Sequence, residues 1–240
     1  MSRMEIVAVT DEAIQKIKAM IVSGDLTTGS RLPPEKELSE RLGLSRSSLR
    51  EAVKALEVLR ILDVRRGDGT YITSLEPPLL LEGISFIADI LDDDSLFEAL
   101  GVRRILESQA TGIAAVNASP ADIRDLEFEV DSTAGLTDVD DLIEHDVRFH
   151  ARIVALAGNR YLKSLLDNLT TQTIRARIWR AVTDAGALER TLQEHREIVE
   201  AIAARDINLA IALATNHVAG VEQWLRAARQ PLFATTTEAE

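Results

Sequence analysis

The chain has 240 residues, 46% of them hydrophobic and 28% charged, with only twelve Gly and six Pro. That balance excludes a disordered or fibrous chain and can fill one large domain or two ordinary ones, two being the better starting point. Cys is absent, which excludes a disulfide scaffold, a thiolate nucleophile and Cys-ligated metal, so any metal must use His and carboxylates.

The net charge of −12 is unevenly spread: residues 1–76 hold 12 Lys+Arg and 12 Asp+Glu, leaving 15 against 27 for the rest. The N-terminal part is therefore neutral, and it can meet nucleic acid if its cations share one face. No apolar run resembles a signal peptide, and none approaches the roughly 18 apolar residues that span a bilayer. The chain is expected in the cytoplasm, away from membranes.

In chain order, Ile14, Ile17, Met20 and Ile21 predict a first helix over Asp11–Val22, with Gly24 as its stop. Pro33-Pro34 with Glu35 and Glu37 starts a short second helix that Gly43 ends. Ser45 caps a third, in which Leu49, Ala52, Val53 and Leu56 form the buried stripe. Its opposite face carries Arg46, Arg50 and Lys54 beside Ser47 and Ser48, cations and hydroxyl donors suited to a major groove. Leu62–Arg65 and Thr70–Thr73 alternate about Arg66-Gly67-Asp68-Gly69, which predicts a hairpin with Arg65 and Arg66 at its tip. Two helices with a tight turn, followed by that wing, suggest a winged helix-turn-helix over residues 9–74.

Leu32-Pro33-Pro34-Glu35-Lys36-Glu37-Leu38, Leu44–Ala52 and Arg66–Ile72 together resemble the DNA-binding domain of the GntR transcription factors. The resemblance implies that Lys36, Ser45, Arg46, Ser47, Ser48, Arg50, Arg66 and Gly67 contact the operator. Two positions depart from the common pattern: Lys36 stands where Arg is frequent, and Arg60 where Gly is frequent.

Residues 75–78, ending in Pro77-Pro78, read as a semi-rigid linker. From Leu79 to Ala228 the apolar spacing predicts six or seven helices, with a cap at Ser119-Pro120 and breaks at Gly158-Asn159 and Gly186. The fold class is therefore mainly α: a winged helix-turn-helix followed by an all-α antiparallel bundle over residues 79–228, for effector binding and dimerisation, with a flexible tail over 229–240. Asp146 and His150 are four residues apart and project from one helical face. His195 and His217 lie on later helices, and His145 points about a third of a turn away and is set aside. One carboxylate and three imidazoles meeting inside a bundle suit a divalent transition metal, Zn²⁺ first, with Ni²⁺ or Mn²⁺ as alternatives. Spacing alone leaves surface or hydrogen-bonded histidines as the more frequent outcome.

Asp146–His150, Ala157-Gly158-Asn159, Glu194-His195 and Asn216-His217 resemble the effector domain of the FadR subfamily of GntR regulators. That resemblance implies Asp146, His150, His195 and His217 as metal ligands, and Arg103 as an arginine that grips an effector carboxylate. The acidic residue usual two positions before that arginine is Gly101 here. The expected function is a homodimeric regulator, most often a repressor in this family, which binds a palindromic operator and responds to a small organic acid. Two alternatives stay open: a regulator that senses the metal itself, and, more remotely, a metal-dependent hydrolase, for which Glu194 points the wrong way to serve as base. On balance no enzymatic activity is expected.

Overall fold

A computed structural model describes residues 3–80, 93–136 and 138–234. The chain divides into two compact units, Met1–Gly83 and Ile84–Glu240.

The first unit contains α1 (Arg3–Val22), α2 (Glu35–Leu42), α3 (Arg46–Val58), β1 (Leu62–Arg65), β2 (Gly69–Ile72) and α4 (Pro77–Leu80). Helix α1 starts ahead of the expected Asp11 because neither Gly nor Pro interrupts residues 3–10. Gly43 closes α2 in the left-handed conformation at φ 66, which a residue without Cβ adopts at no steric cost. The Ser45 hydroxyl caps α3 by accepting from the Ser48 N–H at 3.1 Å. Of the stripe predicted on α3, Leu49 and Leu56 join Ile17, Leu38, Leu62 and Ile72 in one core, Val53 packs against it half-buried, and Ala52 is buried. Each such Leu or Ile contributes about 1.5–3 kcal/mol of apolar burial.

The hairpin pairs antiparallel from Leu62 opposite Ile72 to Arg65 opposite Gly69. Residues 29–32 add to its far edge, with Leu32 N–H donating to Thr70 O at 2.7 Å and Ile72 N–H to Ser30 O at 2.9 Å. That third edge was not expected, since Gly29 and Pro33 bracket too few residues for an alternating pattern. Arg60 takes φ 57 between α3 and β1, a left-handed conformation that disfavours a side chain. Part of the expected linker is a helical turn, because Pro77 at the first position of α4 has its φ already set.

The second unit contains six helices among the described residues: α5 (Asp93–Asn117), α6 (Pro120–Asp131), α7 (Val139–Leu156), α8 (Arg160–Thr183), α9 (Ala187–Ala203) and α10 (Ile207–Ala234). Ser119 caps α6 in a reciprocal box with Asp122, and Asn159 caps α8. Residues 81–92, where the bundle was expected to begin, lie outside the described residues. The expected tail is helical as far as Ala234, and 235–240 lie outside the described residues.

One core cluster joins Leu126 and Val130 of α6, Phe149 and Ile153 of α7, Ile198 and Ile202 of α9, and Ala210 and Ala214 of α10. It gathers side chains of all four helices, with Ala114 and Ala115 of α5, around one interior. Helices α5 and α10 approach so closely that a Cβ on Gly112 would fall 2.6 Å from Ile211 Cγ1. Among the described residues no helix is long and apolar enough to cross a membrane.

Candidate metal centre and nucleic-acid interface

Helix α7 opens with Asp138, whose carboxylate accepts from the Asp140 N–H at 2.7 Å, and Asp140 and Asp141 in its first turn complement the helix dipole. Its buried face runs through Leu142, Asp146, Phe149, His150 and Ile153. That periodicity carries Asp146 and His150 into an apolar interior along with their neighbours. Helix α9 brings in His195 between Leu192 and Ile198, and α10 brings in His217 between Ala214 and Val221.

The four residues converge. One ligand atom from each of Asp146, His150, His195 and His217 lies within 4.8 Å of all the others, and every one is buried. Asp146 Oδ1 is 3.4 Å from His150 Nε2 and 3.6 Å from His195 Nε2. His150 Nε2 and His217 Nε2 are 3.2 Å apart. The outward nitrogens are held from behind. His150 Nδ1 meets Glu107 Oε1, and His217 Nδ1 lies 2.7 Å from Glu194 Oε2. Because carboxylates only accept, the imidazole hydrogens belong on those Nδ1 atoms, and the two Nε2 lone pairs face each other. A cation completes that arrangement where a hydrogen bond does not. His195 Nε2 is buried with no hydrogen-bond partner, an exception that a buried polar atom seldom tolerates. The donor set, N₃O from three imidazoles and a carboxylate, fits Zn²⁺, Ni²⁺ or Mn²⁺.

Burial lowers the pKa of His217 to about 4 against the opposing pull of Glu194, and burial, helped by His217 and His150, holds that of His195 well below its usual range. Both are neutral at pH 7, the state in which imidazole ligates a metal. Burial by itself would raise the Glu107 carboxyl, but Arg103 and His150 outweigh it and hold the group well below its usual value.

Three side chains behave differently from expectation. Arg103 is 1% exposed and does not line the pocket beside the cluster. Its guanidinium is spent on Glu107 at 2.7 and 3.4 Å, and on Thr173 at 3.4 Å. It therefore braces His150 through Glu107. His145, set aside on helical phase, is fully buried with Nε2 2.9 Å from His195 Nδ1. Its phase does point away from Asp146, but α9 stands on that side. Glu194, set aside as a base, instead holds His217.

The pocket is lined by Asp146 and His217 from the cluster, by Leu142, Ile143 and Val221, and by Arg177, Arg180 and Thr191. Arg177 donates to Asp146 and to Thr170 O, while its Nε is buried without a partner. Sequence reasoning missed Arg177 and Arg180. Their i, i+3 spacing on α8 was the available signal, but basic pairs are common on solvated faces.

On the first unit, Lys36, Ser45, Arg46, Ser47, Arg50, Arg66 and Gly67 are exposed. Arg50 is parked on Glu35 at 2.8 Å, and Lys54 on Glu51 at 2.9 Å. Ser48 turns inward, 6% exposed, with its hydroxyl 2.8 Å from that of Ser45, so it serves the helix cap. Arg65 lies over the Tyr71 ring at 4.3 Å and pairs with Asp63 at 2.9 Å, which stiffens the wing.

The family described as bacterial regulatory proteins, gntR family, matches residues 9–72, and the FCD domain family matches residues 98–220. The HTH-type transcriptional regulator LutR of Bacillus subtilis is 27% identical over 86% of this chain and 96% of its own length. A putative L-lactate dehydrogenase operon regulatory protein of Escherichia coli is 28% identical over 90% and 86%. Among solved structures, Streptococcus agalactiae GntR superposes with a TM-score of 0.63 at 27% identity, covering 89% of this chain and 99% of that one.

Proposed function

We propose a mechanism for a chain that belongs to the GntR family of bacterial regulatory proteins, carries an FCD domain as its second half, and is a transcription regulator rather than an enzyme. The helical unit holds a divalent metal, Zn²⁺ before Ni²⁺ or Mn²⁺, on Asp146, His150, His195 and His217. Beside it the pocket takes a small carboxylate. One relative is named for an L-lactate dehydrogenase operon, and lactate, a hydroxy acid, is the first effector to try. The observation that carries this reading is the partnerless Nε2 of His195, one of four converging buried ligands, next to a pocket lined by two arginines.

When bound, the ion supplies a Lewis acid that anchors an anionic oxygen. Everything else is the work of the chain. Glu107 and Glu194 orient His150 and His217, Arg103 holds Glu107, and Arg177 fixes the second oxygen of Asp146. Arg177 and Arg180 give the pocket positive charge, and Leu142, Ile143 and Val221 keep its wall apolar.

The regulator acts as a homodimer. Val102, Ile105, Ile113 and Val116 of α5 are exposed and, at helical spacing, fall within one stripe. A stripe of that kind suits an isologous contact between two copies. Two copies present two α3 helices to the half-sites of a palindromic operator in the cytoplasm, where the protein serves as a repressor. The effector lowers operator affinity by preferring one arrangement of the dimer, and a near-complete switch needs about 5.5 kcal/mol of differential binding.

The test uses chelator-stripped protein on an operator chosen by selection from random duplexes, with affinity read by fluorescence anisotropy. Zn²⁺ plus L-lactate or another small hydroxy acid should weaken binding at least tenfold, about 1.4 kcal/mol. A full response to Zn²⁺ alone would favour the metal sensor. Insensitivity of the loaded protein to every acid tried would overturn effector control.

A further inference from the structure

We propose that His145, braced by Glu129, is a positioning residue of the metal centre: it sets the tautomer and ring orientation of His195. This deepens the metal-site reading above and rests on it, although the hydrogen-bond chain itself can be tested without a metal.

The chain of contacts runs through three helices. Glu129 of α6 places Oε1 3.1 Å from His145 Nδ1, and His145 of α7 places Nε2 2.9 Å from His195 Nδ1 on α9. Both imidazoles are fully buried, and Glu129 is nearly so. The hydrogens then follow from the carboxylate end. A carboxylate accepts, so His145 Nδ1 donates; a neutral ring with its hydrogen on Nδ1 has a lone pair on Nε2, so His195 Nδ1 must donate to it. That leaves a lone pair on His195 Nε2, the very atom that is buried without a partner and faces Asp146 Oδ1 across 3.6 Å. Two acceptors facing each other at that distance ask for a cation between them. The polarity of His195 Nε2 is thus decided at Glu129, two hydrogen bonds away.

Three further contacts keep the arrangement from slipping. The Glu129 carboxylate meets Arg148 Nε at 3.2 Å and Arg152 Nε at 3.4 Å, so half-exposed guanidiniums pin it at the edge of the bundle. The Phe149 ring stacks on His195 with centroids 4.0 Å apart and planes at 17°, which opposes rotation of the imidazole. Adjacent residues on α7 therefore address one ion by two routes, Asp146 directly and His145 through His195. Partners of this kind commonly govern metal affinity by about 10- to 100-fold.

The test pairs a spectrum with two variants. Long-range ¹H–¹⁵N correlation of metal-free wild-type protein should find His195 as the Nδ1–H tautomer, assigned with His195→Asn. In competition with a chromophoric chelator, His145→Phe fills the space without accepting a hydrogen bond and should bind Zn²⁺ about 10- to 100-fold more weakly. His145→Gln places an amide oxygen near the lost Nε2 and should recover most of the affinity. A mere core-filling role predicts no difference between the variants, and equal binding by the two overturns the proposal. So does His195 found with its hydrogen on Nε2. If neither variant folds, the wild-type spectrum decides. Failure of wild-type protein to bind Zn²⁺ would remove the metal reading, while the same spectrum still accepts or rejects the His145–His195 polarity.

Discussion

Two arginine–glutamate pairs of almost equal length divide the labour of this protein. In the first unit Arg50 meets Glu35 at 2.8 Å, with side chains 62% and 41% exposed. In the second Arg103 meets Glu107 at 2.7 Å, 1% and 2% exposed. Distance does not distinguish them, but water does. An exposed pair is worth between nothing and about 1 kcal/mol, so Arg50 can leave Glu35 for a phosphate or a base edge at little cost. A buried pair cannot let go, because either partner alone would be an uncompensated charge. The reading face is built to be re-paired, and the bundle interior is built to stay put.

The sharpest way to break that contrast is to remove one acid from each pair. Glu107→Ala leaves Arg103 and the Nδ1 of His150 without their acceptor and should destabilise the metal-free protein by about 3–5 kcal/mol in urea unfolding. Glu35→Ala should change stability by less than about 1 kcal/mol. Comparable losses in the two would show that burial is not what separates them.

Acid should find the same boundary. His217 has a pKa near 4 when folded, below its ordinary value of about 6.5. The unfolded chain therefore takes up its proton first, so stability falls as the pH drops from about 6.5 to about 4 and is unaffected above that window. The size is up to about 3 kcal/mol for this group in metal-free protein. All four histidines and both tryptophans lie in the second unit. Tryptophan fluorescence should therefore report the loss, and a transition indifferent to pH across that range would contradict it.

On the reading face the effects are smaller and concern binding. Arg46→Ala and Arg50→Ala should each weaken specific operator binding by about 1–3 kcal/mol with unchanged thermal stability, as read by anisotropy and calorimetry. The smallest effect belongs to the turn between α3 and β1. Arg60→Gly relieves the left-handed backbone at φ 57 but loosens the unfolded chain, for a net gain of roughly 0.5 kcal/mol in the first unit. A loss of stability would mean that the Arg60 side chain matters more than its backbone.

Much of this arrangement was legible in the residues, and the gaps have physical causes. Caps and stops at Ser45, Gly43, Ser119 and Gly186 were readable because each answers a local backbone need. Asp146 and His150 were readable as a pair because four residues make one helical turn. His145 was not: helical phase tells which way a side chain leaves its own helix, and says nothing about which helix waits there. Arg103 illustrates the converse, where resemblance suggested a gripping arginine and the structure shows Glu107 engaging it. Arg177 and Arg180 escaped notice because burial of a cation is decided by tertiary packing. The edge formed by residues 29–32 was too short to leave a pattern.

The order of the four cluster residues along the chain has a consequence for synthesis. The core of the reading head is complete once Ile72 has emerged, whereas the cluster waits for His217 on α10, the last helix described. Units of this kind fold as they appear, N-terminal first. For the time taken to add some 145 residues, a nascent chain can display a finished reading head while the cluster proposed to hold the metal does not yet exist.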